Sequence, residues 1–94
     1  MRTVKIQVTG KVQGVFYRAT ARGIADGLQL AGWIRNRADG AVEALVQGPE
    51  EQVAAFIEWC HQGPDAAEVE EVAVQELPTD PSLTSFEVWR GKTG

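Results

Sequence analysis

The 94-residue sequence contains one cysteine and one histidine, and it has no long apolar run. The single cysteine, Cys60, excludes an internal disulfide framework, and one cysteine with one histidine argue against a structural zinc site. Without an apolar run of about 20 residues, no membrane span is expected. Residues 1–6 lead directly into charged, alternating sequence, which argues against a secretory signal. We therefore expect a cytoplasmic protein with no metal and no membrane partner.

The length and composition favour one globular domain. The chain is 44% hydrophobic and 23% charged, which is ordinary for a folded protein and argues against disorder. Ninety-four residues are enough for one core and too few for two independent ones. We predict that residues 1–94 form a single domain.

The charge is unevenly distributed along the chain. The formal net charge of −4 argues against a nucleic-acid partner or an anionic membrane surface. Residues 1–37, however, carry seven basic side chains and one acidic one, whereas residues 38–94 carry two basic and twelve acidic ones. A basic first third in an acidic chain is compatible with a local anion site. Scattered solvated charges are the more ordinary explanation, so the charge alone does not establish a site.

The first third of the chain reads as a strand, a loop and a helix. Residues 3–9 alternate between apolar and polar side chains, which is typical of a half-buried strand. Residues 10–17 are bracketed by glycines and indicate a loop. From Arg18 the apolar period becomes helical, and we predict that Gly32 ends this helix as a left-handed cap. The apolar stripe of the predicted helix is Ala21, Ile24, Ala25, Leu28 and Ala31.

The remainder of the chain predicts four strands and a second helix. The strands are predicted over residues 33–37, 41–47, 69–77 and 84–90. A tight turn at 38–40 joins the first two of these strands. The helix has Pro49 at its first position and stops at Gly63. Its buried stripe is Val53, Phe56, Ile57 and Cys60. This order predicts an α+β, ferredoxin-like split βαβ fold: a mainly antiparallel sheet of four or five strands with both helices on one face.

The loop before the first helix has features of an anion site. A glycine-flanked loop that opens a helix can gather several backbone N–H groups, and the helix dipole adds positive potential there. Arg18, at the junction, offers a guanidinium that matches two phosphate oxygens. The loop lacks the Gly-Lys-Ser/Thr end of a Walker A motif, so nucleotide binding does not follow. An ordinary connection with a surface arginine explains these residues equally well.

A second candidate residue is Asn36, which precedes the predicted turn. Its amide has both a donor and an acceptor end, so it can hold a water molecule while it contacts a substrate oxygen. An asparagine at this position is more often a turn former.

Taken together, two segments closely resemble the two signature segments of acylphosphatases. The first is Gly10-Lys11-Val12-Gln13-Gly14-Val15-Phe16-Tyr17-Arg18. The second is Gly32-Trp33-Ile34-Arg35-Asn36-Arg37-Ala38-Asp39-Gly40-Ala41-Val42-Glu43. The resemblance extends to Gln47-Gly48-Pro49 and Phe86-Glu87-Val88, and Tyr17 stands where many members of the family carry phenylalanine.

The resemblance implies a small ferredoxin-like hydrolase that cleaves the carboxyl–phosphate bond of a small-molecule acyl phosphate without metal or cofactor. It implies that Arg18 binds the phosphate, that Asn36 positions the attacking water and that Trp33 is a packing residue. The implied phosphate-binding N–H groups are those of Gly14, Val15, Phe16, Tyr17 and Arg18. Phosphoryl transfer depends mainly on positioning and charge stabilisation, which agrees with the lack of a nucleophile–base pair in the sequence.

Three other functions are compatible with parts of this sequence. A non-catalytic phosphate-binding module needs the same loop but not Asn36. An RNA-binding domain of this fold is disfavoured by the net charge and by the lack of an aromatic RNP-type strand. A piece of a larger acyl- or carbamoyl-transfer enzyme is disfavoured by the single-domain length. We expect Cys60 to lie in the core and His61 to lie at a helix end.

We also expect a monomer, because no large apolar strip remains once both helices are packed.

Overall fold

Seven elements follow one another along residues 1–90, the part of the chain that the computed structural model describes. They are β1 (Arg2–Lys11), α1 (Tyr17–Gly27), β2 (Ala31–Asn36), β3 (Val42–Gly48), α2 (Glu50–Gln62), β4 (Glu68–Leu77) and β5 (Phe86–Trp89). All five predicted strands and both predicted helices are present, with shifted ends.

The five strands form one sheet in the order β4-β1-β3-β2-β5. The pairs β1–β3, β1–β4 and β2–β3 are antiparallel, and β5 is parallel to β2 at one edge. Helix α1 packs on β2 and β5, α2 packs on β1, β3 and β4, and the helices touch each other. The helices therefore share one face of a mixed, mainly antiparallel sheet, which confirms the predicted ferredoxin-like plan.

The core lies between this face and the helices, and it follows the alternation seen in the sequence. Val4, Ile6 and Val8 of β1 are almost completely buried. Their cross-strand neighbours on β3 and three of the four predicted stripe residues of α2 belong to the same cluster: Val42, Ala44, Val46, Val53, Phe56 and Cys60. The fourth, Ile57, is partly buried against it. Burying one such aliphatic side chain contributes about 1.5–3 kcal/mol. This packing fixes β1 and β3, and hence the loop and the turn at their ends.

The predicted helix end at Gly32 is wrong. Helix α1 ends at Gly27, and the left-handed residue after it is Gln29, with φ 59°. Gly32 lies in β2 at φ +140°, where an added Cβ would lie 1.7 Å from the carbonyl oxygen of Leu45 on β3. Close approach of the neighbouring strand therefore requires this glycine. The prediction failed because Ala31 follows Leu28 at a helical spacing of three residues, although it belongs to β2.

The ends of α2 and the β2–β3 turn agree with the prediction to within a residue. Pro49 is the N-cap of α2 rather than its first helical residue, and Gly63 ends the helix at φ 68°. In the β2–β3 turn, the Arg37 N–H donates to the Ala41 carbonyl at 2.8 Å, and Gly40 has φ +95°. Over residues 1–90, neither helix has the length and apolar character required to cross a membrane.

Candidate active site

The β1–α1 loop (residues 12–16) has an unusual backbone conformation. Gly14 has φ 76°, and Phe16, the N-cap of α1, is left-handed with φ 63° and ψ 24°. Glycine adopts such angles without strain, but a bulky residue rarely does. Left-handed residues within a turn are the backbone arrangement that forms anion-binding nests, in which successive N–H groups point into one concavity.

The N–H groups of residues 14–18 are available to a ligand. Within residues 1–90, none of them donates a backbone hydrogen bond, and no side chain caps α1. The first bond that enters the helix runs from the Thr20 N–H to the Phe16 carbonyl at 3.0 Å. The unpaired donors of a first helical turn coincide with the positive end of the helix dipole. This end of α1 is therefore suited to an anion.

Arg18 is half-buried and held in place by the far edge of the sheet. Its Nη1 donates to the backbone carbonyl of Trp89 at 2.9 Å. Trp89 in turn stacks on Trp33 of β2, with the ring centroids 4.4 Å apart and the planes 13° from parallel. One guanidinium nitrogen is thus used for positioning, and the others are left to contact a ligand. Trp33 packs against a neighbouring strand, in keeping with the structural role expected of it.

Asn36 is the last residue of β2 and lies on the pocket side of the sheet. Its neighbours Arg35 and Arg37 project to the opposite face, as alternation along a strand requires. The turn that follows Asn36 is tied to the β1–α1 loop by Gln13. The amide nitrogen of Gln13 donates to the carbonyls of Arg37 and Ala41 at 2.8 and 2.9 Å. One side chain thereby fixes the loop and the turn relative to each other.

The loop, Arg18 and Asn36 line a single pocket of about 390 Å3. Among residues 1–90, its lining residues are Val12, Gly14, Phe16, Tyr17, Arg18, Ala19, Arg22, Asn36, Val88 and Arg90. Both predicted catalytic residues and most of the predicted phosphate-binding residues therefore lie together. The exception is Val15, whose side chain is buried in the core and which leaves only its backbone for a ligand.

The charge of this pocket favours an anion. Within residues 1–90, three arginines and no acidic residue line it. Arg22 follows Arg18 by four residues in the same helix, so the sequence spacing alone places both on one face. The local signals in the sequence did not indicate Gln13, Trp89 and Arg90, because their roles depend on which distant strands and loops come together.

The turn after Asn36 is anchored by Glu43 on the open face of the sheet. Glu43, at the start of β3, has a side chain only 4% exposed and pairs with Arg35 at 2.6 Å, Lys5 at 3.4 Å and Arg37 at 3.6 Å. Burial on its own would raise the pKa of Glu43. The hydrogen bond and charge of Arg35, together with Lys5, outweigh it, and the net effect is a lowered pKa.

The other candidate residues lie outside the pocket. Cys60 is buried in the core, and burial raises the pKa of its thiol to about 12. His61 is exposed in the last turn of α2. Tyr17, by contrast, lines the pocket; its side chain is buried, and its hydroxyl donates to the Cys60 carbonyl at 2.8 Å. Among residues 1–90, no three His, Cys, Asp or Glu side chains are grouped so that they could hold a metal ion.

Comparisons with known proteins point in one direction. The sequence model of the acylphosphatase family matches residues 4–88. An acylphosphatase of Marinobacter nauticus is 52% identical over 79 residues, which cover 84% of this chain and 86% of the relative. An acylphosphatase of Thiobacillus denitrificans is 46% identical over 87 residues, covering 93% and 96%. The crystal structure of acylphosphatase from Bacillus subtilis superposes with a TM-score of 0.92 at 36% identity, covering 96% of this chain and all of that one.

Proposed function

The chain belongs to the acylphosphatase family and hydrolyses acyl phosphates to a carboxylate and inorganic phosphate, and we propose that Arg18, Asn36 and the N–H groups of residues 14–18 carry out this reaction. The observation that supports the proposal most strongly is the shared pocket. It brings the guanidinium, the asparagine and the loop with unpaired N–H groups to one cationic cavity.

In this proposal the β1–α1 loop and Arg18 hold the phosphoryl group. Backbone N–H groups do not titrate and keep their geometry. They therefore bind phosphate oxygens both before and during the reaction. The Arg18 guanidinium, already fixed by its bond to the Trp89 carbonyl, contributes charge-assisted hydrogen bonds. These bonds strengthen as negative charge spreads over the phosphoryl oxygens in the transition state.

Asn36 holds the attacking water in line with the bond that breaks. The water oxygen forms the new bond to phosphorus, the phosphorus–oxygen bond to the acyl group breaks, and the carboxylate departs with that electron pair. A carboxylate is a weak base, so it needs no general acid. The proton of the water passes to a phosphate oxygen. No titrating side chain of the protein takes part, which fits the position of Cys60 and His61 outside the pocket.

We further propose a cytoplasmic monomer that acts on a small acyl phosphate without metal, cofactor or nucleic-acid partner. The cationic pocket supports the metal-free reaction, because arginines and N–H groups supply the positive charge that a metal ion provides in other phosphoryl-transfer enzymes. The net charge of −4 supports the lack of a nucleic-acid partner, and one cysteine, free and buried, fits a reducing compartment. Hydrolysis in excess EDTA and sedimentation equilibrium test the metal requirement and the oligomeric state.

The test of the site is Arg18→Gln, assayed by phosphate release from acetyl phosphate. We expect kcat/KM to fall about 10²–10³-fold, as for the loss of one preorganised donor at developing charge, and inhibition by inorganic phosphate to weaken. Arg22→Gln is the matched control. It removes the same charge from the lining of the same pocket, one helical turn away, where the guanidinium is exposed and paired with Asp26 at 3.7 Å, and we expect a loss of about fivefold or less. Equal losses in the two variants would refute a specific role for Arg18.

A further inference from the structure

Phe16 has two properties that its backbone role does not explain. Its side chain is 80% exposed, although it is one of the largest apolar side chains of the protein. It also adopts left-handed backbone angles, which within residues 1–90 only one other non-glycine residue, Gln29, shares. A loop whose only task is to present N–H groups has no need for an aromatic ring at this position, since glycine or asparagine adopts the same angles with less strain.

Phe16 lines the same pocket as the proposed phosphate-binding residues. The pocket has a polar part, formed by Arg18, Asn36 and the loop N–H groups. Apart from Arg22 and Arg90, its remaining lining is mostly apolar: Val12, Phe16, Ala19, Val88 and the ring of Tyr17. With about 390 Å3, the pocket lies within the range of about 300–1,000 Å3 typical of sites for complete small molecules. A phosphoryl group on the polar part therefore leaves room for an acyl group against the apolar walls.

We propose that the Phe16 ring is the contact surface for the acyl group, and that it gives this enzyme a preference for acyl phosphates with aromatic acyl groups over those with small ones. The inference rests on the proposed placement of the phosphate. An aromatic acyl group can stack on the ring or meet it edge to face and remove exposed apolar surface from water, whereas an acetyl group covers little of it.

The chemistry predicts which kinetic constant responds. The aromatic ring of the acyl group does not react during hydrolysis. Its contact with Phe16 therefore stabilises the bound substrate and the transition state about equally. A contact of this kind lowers KM and leaves kcat largely alone. An aromatic pair contributes an effect that corresponds to about 3–10-fold in affinity.

The experiment compares benzoyl phosphate with acetyl phosphate in three proteins: the wild type, Phe16→Asn and Phe16→Tyr. Asparagine tolerates the left-handed region, so Phe16→Asn removes the ring while it retains the loop conformation. Phe16→Tyr retains the ring and is the matched control. The measured quantity is the ratio of kcat/KM on benzoyl phosphate to kcat/KM on acetyl phosphate. Differences in intrinsic reactivity between the substrates cancel when this ratio is compared among the proteins.

We expect Phe16→Asn to lower the ratio about 3–10-fold through a higher KM for benzoyl phosphate, and Phe16→Tyr to keep it within about twofold of the wild type. An unchanged ratio in Phe16→Asn, or losses of equal size on both substrates, would overturn the proposal. Either result would leave the placement of the phosphate intact. That placement fails instead if Arg18→Gln hydrolyses both substrates at the wild-type rate.

Discussion

The two segments that meet in the pocket are built in opposite ways. The β1–α1 loop presents its backbone, and its shape depends on the left-handed angles of Gly14 and Phe16. The β2–β3 turn presents one side chain, Asn36, and its position depends on side-chain contacts made by Gln13 and Glu43. The first segment should therefore be sensitive to backbone conformation and the second to the loss of particular side chains. Substitutions can test each half of this comparison separately.

Among the substitutions in these two segments that leave Asn36 itself in place, the largest effect is expected for Gly14→Val. A Cβ at Gly14 meets no atom of residues 1–90 within 4 Å, so we expect the substitution to act through φ. A branched residue at positive φ costs about 1–3 kcal/mol, which lowers the population of the binding-competent loop about 5–150-fold. We expect kcat/KM and phosphate affinity to fall together by such a factor.

Gly14→Asn is the control for this prediction, because asparagine accepts left-handed angles. We expect it to retain activity to within about fivefold. Equal damage from valine and asparagine would mean that the loop depends on the small size of Gly14 rather than on its backbone conformation.

Gln13→Leu should have a smaller effect and a different kinetic signature. The variant loses both hydrogen bonds to the turn, and a small displacement of Asn36 follows. We expect kcat to fall about tenfold, because misplacing a positioning group weakens the transition state more than the ground state. The inhibition constant of inorganic phosphate should change much less.

Gln47→Leu is the matched control for Gln13. The amide nitrogen of Gln47 also bridges to a distant carbonyl, that of Asp80 at 3.0 Å, but outside the pocket. This variant should lose stability without the tenfold loss of kcat. If both variants lost kcat equally, general destabilisation would explain the result and the tie made by Gln13 would have no specific role.

The next prediction concerns the contribution of Glu43 to the unfolding free energy and its dependence on pH. Because Arg35 and Lys5 lower the folded-state pKa of Glu43, this carboxylate stabilises the folded protein at pH values above its ordinary pKa of 4.5. The contribution is lost as the pH falls through the folded-state pKa. We expect Glu43→Gln to lower the unfolding free energy by about 1–3 kcal/mol at neutral pH, and this difference to shrink as the pH falls below about 4.5.

Denaturant titrations of the wild type and Glu43→Gln at several pH values measure this difference. Glu76→Gln provides an exposed control, since Glu76 pairs with Arg2 at the surface. A difference for Glu43→Gln that stays constant from neutral pH to pH 3 would show that the charge of Glu43 does not anchor the turn.

The fold was predictable wherever local pattern and tertiary packing agree. Alternation identified β1 and β3, and the stripe of α2 was correct because its residues pack on those strands. Gly32 was assigned to a helix end because a glycine that permits close approach of a neighbouring strand has no local signature. The partners of each strand, including the parallel contact of β5 with β2, depend on contacts far apart in sequence.

The candidate site was predictable through its two segments and less so through its supports. Arg18, Asn36 and the loop glycine were identified from the sequence, and the structure brings them to one pocket. The Trp89 carbonyl that holds Arg18 could not be foreseen, because a backbone carbonyl carries no sequence signal. The same applies to the carbonyls that accept from Gln13.

The central claim is that the loop binds phosphate throughout the reaction and that Asn36 acts mainly in the transition state. The most direct test measures kcat on acetyl phosphate and the inhibition constant of inorganic phosphate for Asn36→Ala. Asp39→Ala serves as a control for the turn, because Asp39 accepts the Ala41 N–H at 3.1 Å. We expect Asn36→Ala to lose about two decades or more of kcat while its inhibition constant stays within about threefold of the wild type. A wild-type kcat, or a parallel loss of phosphate binding, would contradict the claim.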